Sequence, residues 1–144
     1  MRVSQILSNK ADQAVVTIRP EATVSDAVAI LSEKRIGAVI VADEGGTPVG
    51  IVSERDVVRE LGRRGPESLN DTVENLMTRK LIFCAPDESP EDILLKMTEG
   101  RFRHMPVLQD GAMIGIVSIG DVVKARLSEL KMERDVLQDM VMGR

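Results

Sequence analysis

A chain of 144 residues has room for one ordinary domain, or two very small units about a shared core, and can bury roughly two-thirds of its unfolded surface. Its 43% hydrophobic and 29% charged residues fit a globular protein and exclude a disordered one. With 19 basic and 23 acidic side chains interspersed (net charge −4), and two Phe but no Trp or Tyr, it offers neither the basic field nor the stacking surface that nucleic acid needs.

The first ten residues, MRVSQILSNK, lack the apolar core of a signal peptide, and no apolar run approaches the roughly 18 residues of a membrane span. A cytoplasmic protein with no membrane partner is therefore expected. The single cysteine, Cys84, can form neither an internal disulfide nor a metal site with a second cysteine, and reads as a small buried apolar residue.

Taken in chain order, the elements come twice. Residues 21–41 lie over residues 87–107 at an offset of 66, pairing Pro20 with Pro86, Asp26 with Asp92 and Arg35 with Arg101. After one deleted residue, Gly50-Ile51-Val52-Ser53 recurs as Gly115-Ile116-Val117-Ser118, and Asp56-Val57-Val58 as Asp121-Val122-Val123. Even the lead-ins rhyme, VSQIL (3–7) with VENLM (73–77).

Each copy should open with a short β-branched strand, residues 14–18 before Pro20 and 81–84 before Pro86. A helix should follow, capped by Thr23 with Asp26 or by Ser89 with Pro90 and Asp92, with Val24, Ala27, Val28 and Leu31 on one face. Then comes a hairpin, strands 38–41 and 49–52 about Glu44-Gly45-Gly46, or 105–108 and 113–117 about Asp110-Gly111. Gly45 and Gly46 are turn residues, since no lysine follows in phosphate-loop spacing, and Met97, Met105 and Met113 fall at core positions. A second helix starts at Ser53 or Ser118. The boundaries expected are a first repeat at 1–65, a linker at 66–72 within the Gly/Pro-rich 62–72, a second repeat at 73–127 and a helical extension at 128–144. The last helix should reach about Met142, with Val123, Leu127, Leu130, Leu137 and Val141 forming a stripe interrupted by Arg134, to be covered by its own chain or by a second one.

The sharpest recurrence is GIVSERD (50–56) against GIVSIGD (115–121), a strand running into a helix. One reading is purely structural: Ser with an acid three residues on is a capping box. The other uses the same geometry for a ligand. A helix N-terminus carries about half a positive charge and free amides for a phosphate, and a carboxylate one turn on can accept both hydroxyls of a ribose. In that reading Gly50 and Gly115 keep the approach clear of side chains.

Paired G-h-x-[ST]-x-x-D motifs, each after a hairpin, together with FRHMPV (102–107), resemble the tandem CBS-domain family, named after cystathionine β-synthase; the resemblance runs from residue 1 to about 127. It implies an α+β fold of two βαββα repeats packed sheet to sheet around a pseudo-two-fold axis, and an adenine nucleotide in the cleft between them. Carried over residue by residue, Ser53 and Asp56, and Ser118 and Asp121, hold the phosphate and ribose positions. Thr17, Ile36, Gly37 and Ala38 would complete the pocket of Ser118 and Asp121, and Cys84, Phe102 and Arg103 that of Ser53 and Asp56. Arg55 has Gly120 as its counterpart, and the basic pair Arg103-His104 has Gly37-Ala38, so the two sites are unequal. Against ligand roles, Arg55 reads equally as a solvated first-turn residue and His104 as a hydrogen-bonded structural one.

The function implied is a regulatory sensor that binds AMP first, NAD(H) next, or ATP, ADP or S-adenosylmethionine, and signals to an unknown regulated protein, with a homodimer implied as well. Its rivals are a ligand-free interaction scaffold and, against the lack of any catalytic cluster, a small enzyme.

Overall fold

The computed structural model describes residues 1–10 and 15–143. It is a mixed α+β chain of two compact units, 15–82 and 83–144 joined by 1–14. The start of the first expected strand, Ala14, lies outside the described residues.

The 15–82 unit contains β1 (Thr17–Ile18), α2 (Val24–Lys34), β2 (Ala38–Ala42), β3 (Pro48–Ser53), α3 (Glu54–Arg64), a 3₁₀ turn (Pro66–Asn70) and α4 (Val73–Leu76); α1 (Val3–Asn9) precedes them in the chain and belongs to the other unit. Strand order is β1-β2-β3, with β1 parallel and β3 antiparallel to β2. β2 (AVIVA) is buried along its whole length, and Val39, Val41 and Val52 pack with Val24, Ala27 and Leu31 of α2, Val57 of α3, and Val73 and Leu76 of α4. The expected linker is ordered in part: Ser68 is buried and its hydroxyl donates to Gly65 O at 2.8 Å.

The other unit holds α1, α5 (Pro90–Gly100), β4 (His104–Gln109), β5 (Ala112–Ser118) and α6 (Ile119–Val141). Here the first expected strand fails. Only Cys84 bridges to the sheet, in parallel to Val107, with its N–H donating to Pro106 O at 3.0 Å and its carbonyl accepting from Leu108 N–H at 2.9 Å. The next rung back would need an N–H from Pro106, which proline lacks. Ile40 stands at that place in the first copy, and β1 pairs there through Thr17.

All four predicted caps form: Thr23, Ser53, Ser89 and Ser118 each cap a helix and each closes a box with Asp26, Asp56, Asp92 or Asp121. α2 and α5 both end on an arginine in the left-handed region, Arg35 (φ 54) and Arg101 (φ 57), with Ile36 N–H donating to Leu31 O at 3.1 Å and Phe102 N–H to Met97 O at 3.2 Å.

The lead-in helices dock alike. In one unit Val73 N–H donates to Ala22 O (2.8 Å) and Glu74 N–H to Pro20 O (3.0 Å); in the other Val3 N–H donates to Glu88 O (2.9 Å) and Ser4 N–H to Pro86 O (3.0 Å). Thus α4, which opens the second repeat in sequence, packs with elements of the first, and α1, which opens the first, packs on β5 and α6. Val3 and Ile6 are buried there, each contributing about 1.5–3 kcal/mol.

α6 is buried only near its root, at Val122 and Ala125, where it packs on α5. The stripe predicted from spacing is exposed: Val123 41%, Leu127 62%, Leu130 44%, Leu137 61% and Val141 86%. Its own unit therefore does not cover it.

Candidate functional site

Each motif runs from a central strand into a helix, and the hairpin register sets its neighbours. In the first, Ala38 lies opposite Ser53, and the Glu54 N–H donates to Gly37 O at 3.0 Å. In the second, His104 lies opposite Ser118, and the Ile119 N–H donates to Arg103 O at 2.8 Å. The N1 amide of each helix is thus satisfied by a carbonyl just before the hairpin, and the N3 amide by the serine hydroxyl.

The two aspartates differ sharply. Asp56 Oδ2 accepts from Ser53 N–H (2.8 Å) and Ser53 Oγ (3.1 Å), while Oδ1 accepts from Arg59 (2.8 Å) and Thr78 Oγ1 (3.4 Å). A carboxylate offers about four lone-pair positions, and all are used. With 6% side-chain exposure, Asp56 is a committed structural group.

Asp121 is more open, at 25% side-chain exposure. Its Oδ2 accepts from Ser118 N–H at 2.9 Å and faces the Lys10 ammonium at 3.0 Å; Oδ1 makes no bond to another described residue. Lys10 Nζ also donates to Ile116 O at 2.9 Å. Burial works to raise the Asp121 pKa, but the Ser118 N–H, the Lys10 ammonium and the Ser118 hydroxyl outweigh it and hold the carboxyl below its ordinary value. The stability this contributes is present above the unfolded value and is lost as pH falls through the lower folded one.

The remaining candidates are distributed by fold. Arg55 and Arg103 are exposed, Thr17 is exposed on β1, Ile36, Gly37 and His104 are partly buried, and Ala38 is buried. Phe102 lies so close over Gly100 that its ring leaves no room there for a Cβ. Cys84 is 4% exposed, and burial and the Glu88 charge, against the opposing Lys96, push its thiol up to about 12. Ellman's reagent at pH near 8 should leave native protein unlabelled for about an hour and label Cys84 fully in denaturant; rapid labelling of native protein would place the thiol at the surface.

Gly50 and Gly115 have a different task from the one their position suggests. A Cβ on Gly50 would meet Met77 Sδ at 2.5 Å, Met77 Cγ at 2.9 Å and Thr78 O at 3.1 Å; one on Gly115 would meet Leu7 Cδ2 at 2.7 Å. They make room for the docked lead-ins. The sequence reading also missed Lys10 and Thr78, the two residues that reach the motif aspartates from those lead-ins, since no local pattern ties Lys10 to Asp121.

No helix among the described residues is long and apolar enough to cross a membrane. Among known proteins, the chain is 34% identical over 98% of its length, and over 72% of the relative's, to the mitochondrial CBS domain-containing protein CBSX3 of Arabidopsis thaliana. It is similar to the crystal structure of the CBS-domain protein ATU1752 of Agrobacterium tumefaciens (TM-score 0.83, 40% identity, 87% of this chain and 92% of that one). It is also similar to the CBS domain pair of the protein MJ0100, solved with 5′-methylthioadenosine and S-adenosylmethionine (TM-score 0.78, 25% identity, 90% and 98%). The family model for the CBS domain matches residues 3–63 and again 73–128, at the two copies the repeat defines, and the chain belongs to the CBS-domain family.

Proposed function

We propose that this protein is a regulatory module that binds an adenosine-containing small molecule, and that the second motif is its principal site. The observation that carries this reading is the contrast between the aspartates: Asp56 is saturated by four intramolecular bonds, whereas Asp121 has an oxygen that bonds to no other described residue, beside a capped helix start. A ribose diol on Asp121, with Ser118 and the helix N-terminus toward a phosphate, fits that chemistry, and the adenosine ligands of the MJ0100 pair support the ligand class.

In this proposal Thr17, Ile36, Gly37, Ala38, Cys84, Phe102 and Arg103 are further ligand contacts; Ser53, Arg55 and Asp56 form the weaker motif; and His104 lies opposite Ser118. AMP is the first ligand proposed and NAD(H) the second. The exposed α6 stripe supports a homodimer, to be read by light scattering. A scaffold reading is favoured by the capping boxes themselves, in which Ser53 with Asp56 and Ser118 with Asp121 serve the helix starts.

Because the chain has no Trp or Tyr, an adenine carried through purification would dominate its ultraviolet spectrum. Protein stripped by unfolding and refolding should melt several degrees higher with AMP, NAD or S-adenosylmethionine at a hundredfold excess over Kd, equivalent to about 2.7 kcal/mol. No shift with any of them would remove the sensor reading and leave the scaffold.

A further inference from the structure

In both units a residue just beyond the docked lead-in helix reaches the motif aspartate, Thr78 two residues after α4 and Lys10 directly after α1. Thr78 does so with a hydroxyl on Asp56, reinforced by a backbone bridge in which Ile51 and Thr78 exchange N–H···O bonds at 2.9 and 3.0 Å. Lys10 does so with an ammonium on Asp121, and it holds the Ile116 carbonyl on the neighbouring strand at the same time. One contact is a neutral, long hydrogen bond within a saturated cluster. The other is a charge pair on the carboxylate that remains open.

The atom count at Asp121 makes the difference matter. The Ser118 N–H and the Lys10 ammonium both lie on Oδ2, while Oδ1 bonds to no other described residue. When adjacent ribose hydroxyls grip a carboxylate through both oxygens, the second hydroxyl competes with Lys10 for Oδ2. Hydroxyls are poorer partners for Asp121 than an ammonium, but a bound nucleoside supplies two together with its base contacts. Lys10 itself loses little, because its side chain is 28% exposed and water can solvate it.

We infer that Lys10 is a latch on the second motif, released when the ribose of an adenosine compound takes Asp121, so that occupancy of the site is reported at the C-terminal end of α1. This rests on the assignment of Asp121 as the ribose-binding carboxylate. The rest of α1 stays docked through Val3, Ile6 and Leu7, so the released part is the Lys10 side chain at the C-cap of the helix.

Two probes test it, 5′-methylthioadenosine, which has no phosphate, and AMP, which has one. Lys10→Met should bind both about two- to fivefold more tightly than the wild type, the worth of removing a partly exposed ion-pair competitor. In the wild type, acetylation of the Lys10 amine followed by mass spectrometry should become faster when either probe is added. Lys10→Gln guards against a fault peculiar to methionine, and thermal melts of both variants check that α1 stays folded. Equal affinity with unchanged acetylation would overturn the latch and leave Asp121 as the ribose group. Weaker binding of AMP alone would overturn it by making Lys10 a phosphate contact. Absence of binding to wild type and variants alike would overturn the assignment of Asp121, and the latch with it.

Discussion

Asp56→Ala is expected to cost about 2–4 kcal/mol of stability, read as a shift in the urea midpoint, whereas Asp121→Ala costs about 1 kcal/mol but at least about tenfold in affinity for an adenosine ligand. The sequence makes these residues equivalent; their surroundings do not. Removing the Asp56 carboxylate strands the Ser53 N–H and hydroxyl, the Thr78 hydroxyl and the Arg59 guanidinium, and opens the capping box of α3 where the side chain is almost fully buried. Asp121 loses its own box and the Lys10 contact, but water reaches the vacated place. For the ligand the order reverses, because each charge-assisted bond to a ribose hydroxyl is worth about 1.5–3 kcal/mol. Equal losses of stability at the two positions would show that the difference in bonding has no energetic content. Unchanged affinity in Asp121→Ala, measured by calorimetry, would remove it from the site.

The second large effect is at the paired glycines. Gly50→Ala should destabilise the protein by about 2–3 kcal/mol and Gly115→Ala by about 1 kcal/mol. At Gly50 the new methyl meets the Met77 side chain and also the Thr78 carbonyl at 3.1 Å, and that carbonyl is pinned by its bond from Ile51 N–H. Backbone held on both sides cannot yield cheaply. At Gly115 the obstacle is the end of a leucine side chain, which can turn away at the cost of some packing under α1. Denaturation midpoints of the two variants check the order; a Gly115→Ala variant as damaged as Gly50→Ala would mean that Leu7 has no alternative rotamer.

What could be read from the sequence was what short-range chemistry determines. Thr23, Ser53, Ser89 and Ser118 each sit three residues before an aspartate, and a capping box needs nothing from farther away. The hairpins were legible for the same reason, since Gly46 (φ 83) and Gly111 (φ 80) lie where the turns demand a positive φ. Residues 81–83 looked like the counterpart of β1 because their own composition suits a strand. What denies them pairing is an imino nitrogen at Pro106, on another strand, which the pattern of 81–84 cannot register. Gly50 and Gly115 were placed next to the right motif but given the wrong neighbour, because the segments that fill the space arrive from α4 and α1. The periodicity of α6 correctly picked a face, but spacing says which residues share a side and nothing about what lies opposite.

The docking of α1 also sets an order of events during synthesis. Val3 and Ile6 leave the ribosome well before the strand and helix they pack against, Ala112–Ser118 and Ile119–Val141. While residues 15–82, which carry their own lead-in partner α4, can close as soon as they emerge, α1 must wait until β5 and α6 have been made, with two apolar side chains exposed meanwhile. A helix made before its partners thus finds its place only after them, and a product stalled short of β5 is marked by an apolar face of α1 that the folded chain keeps covered.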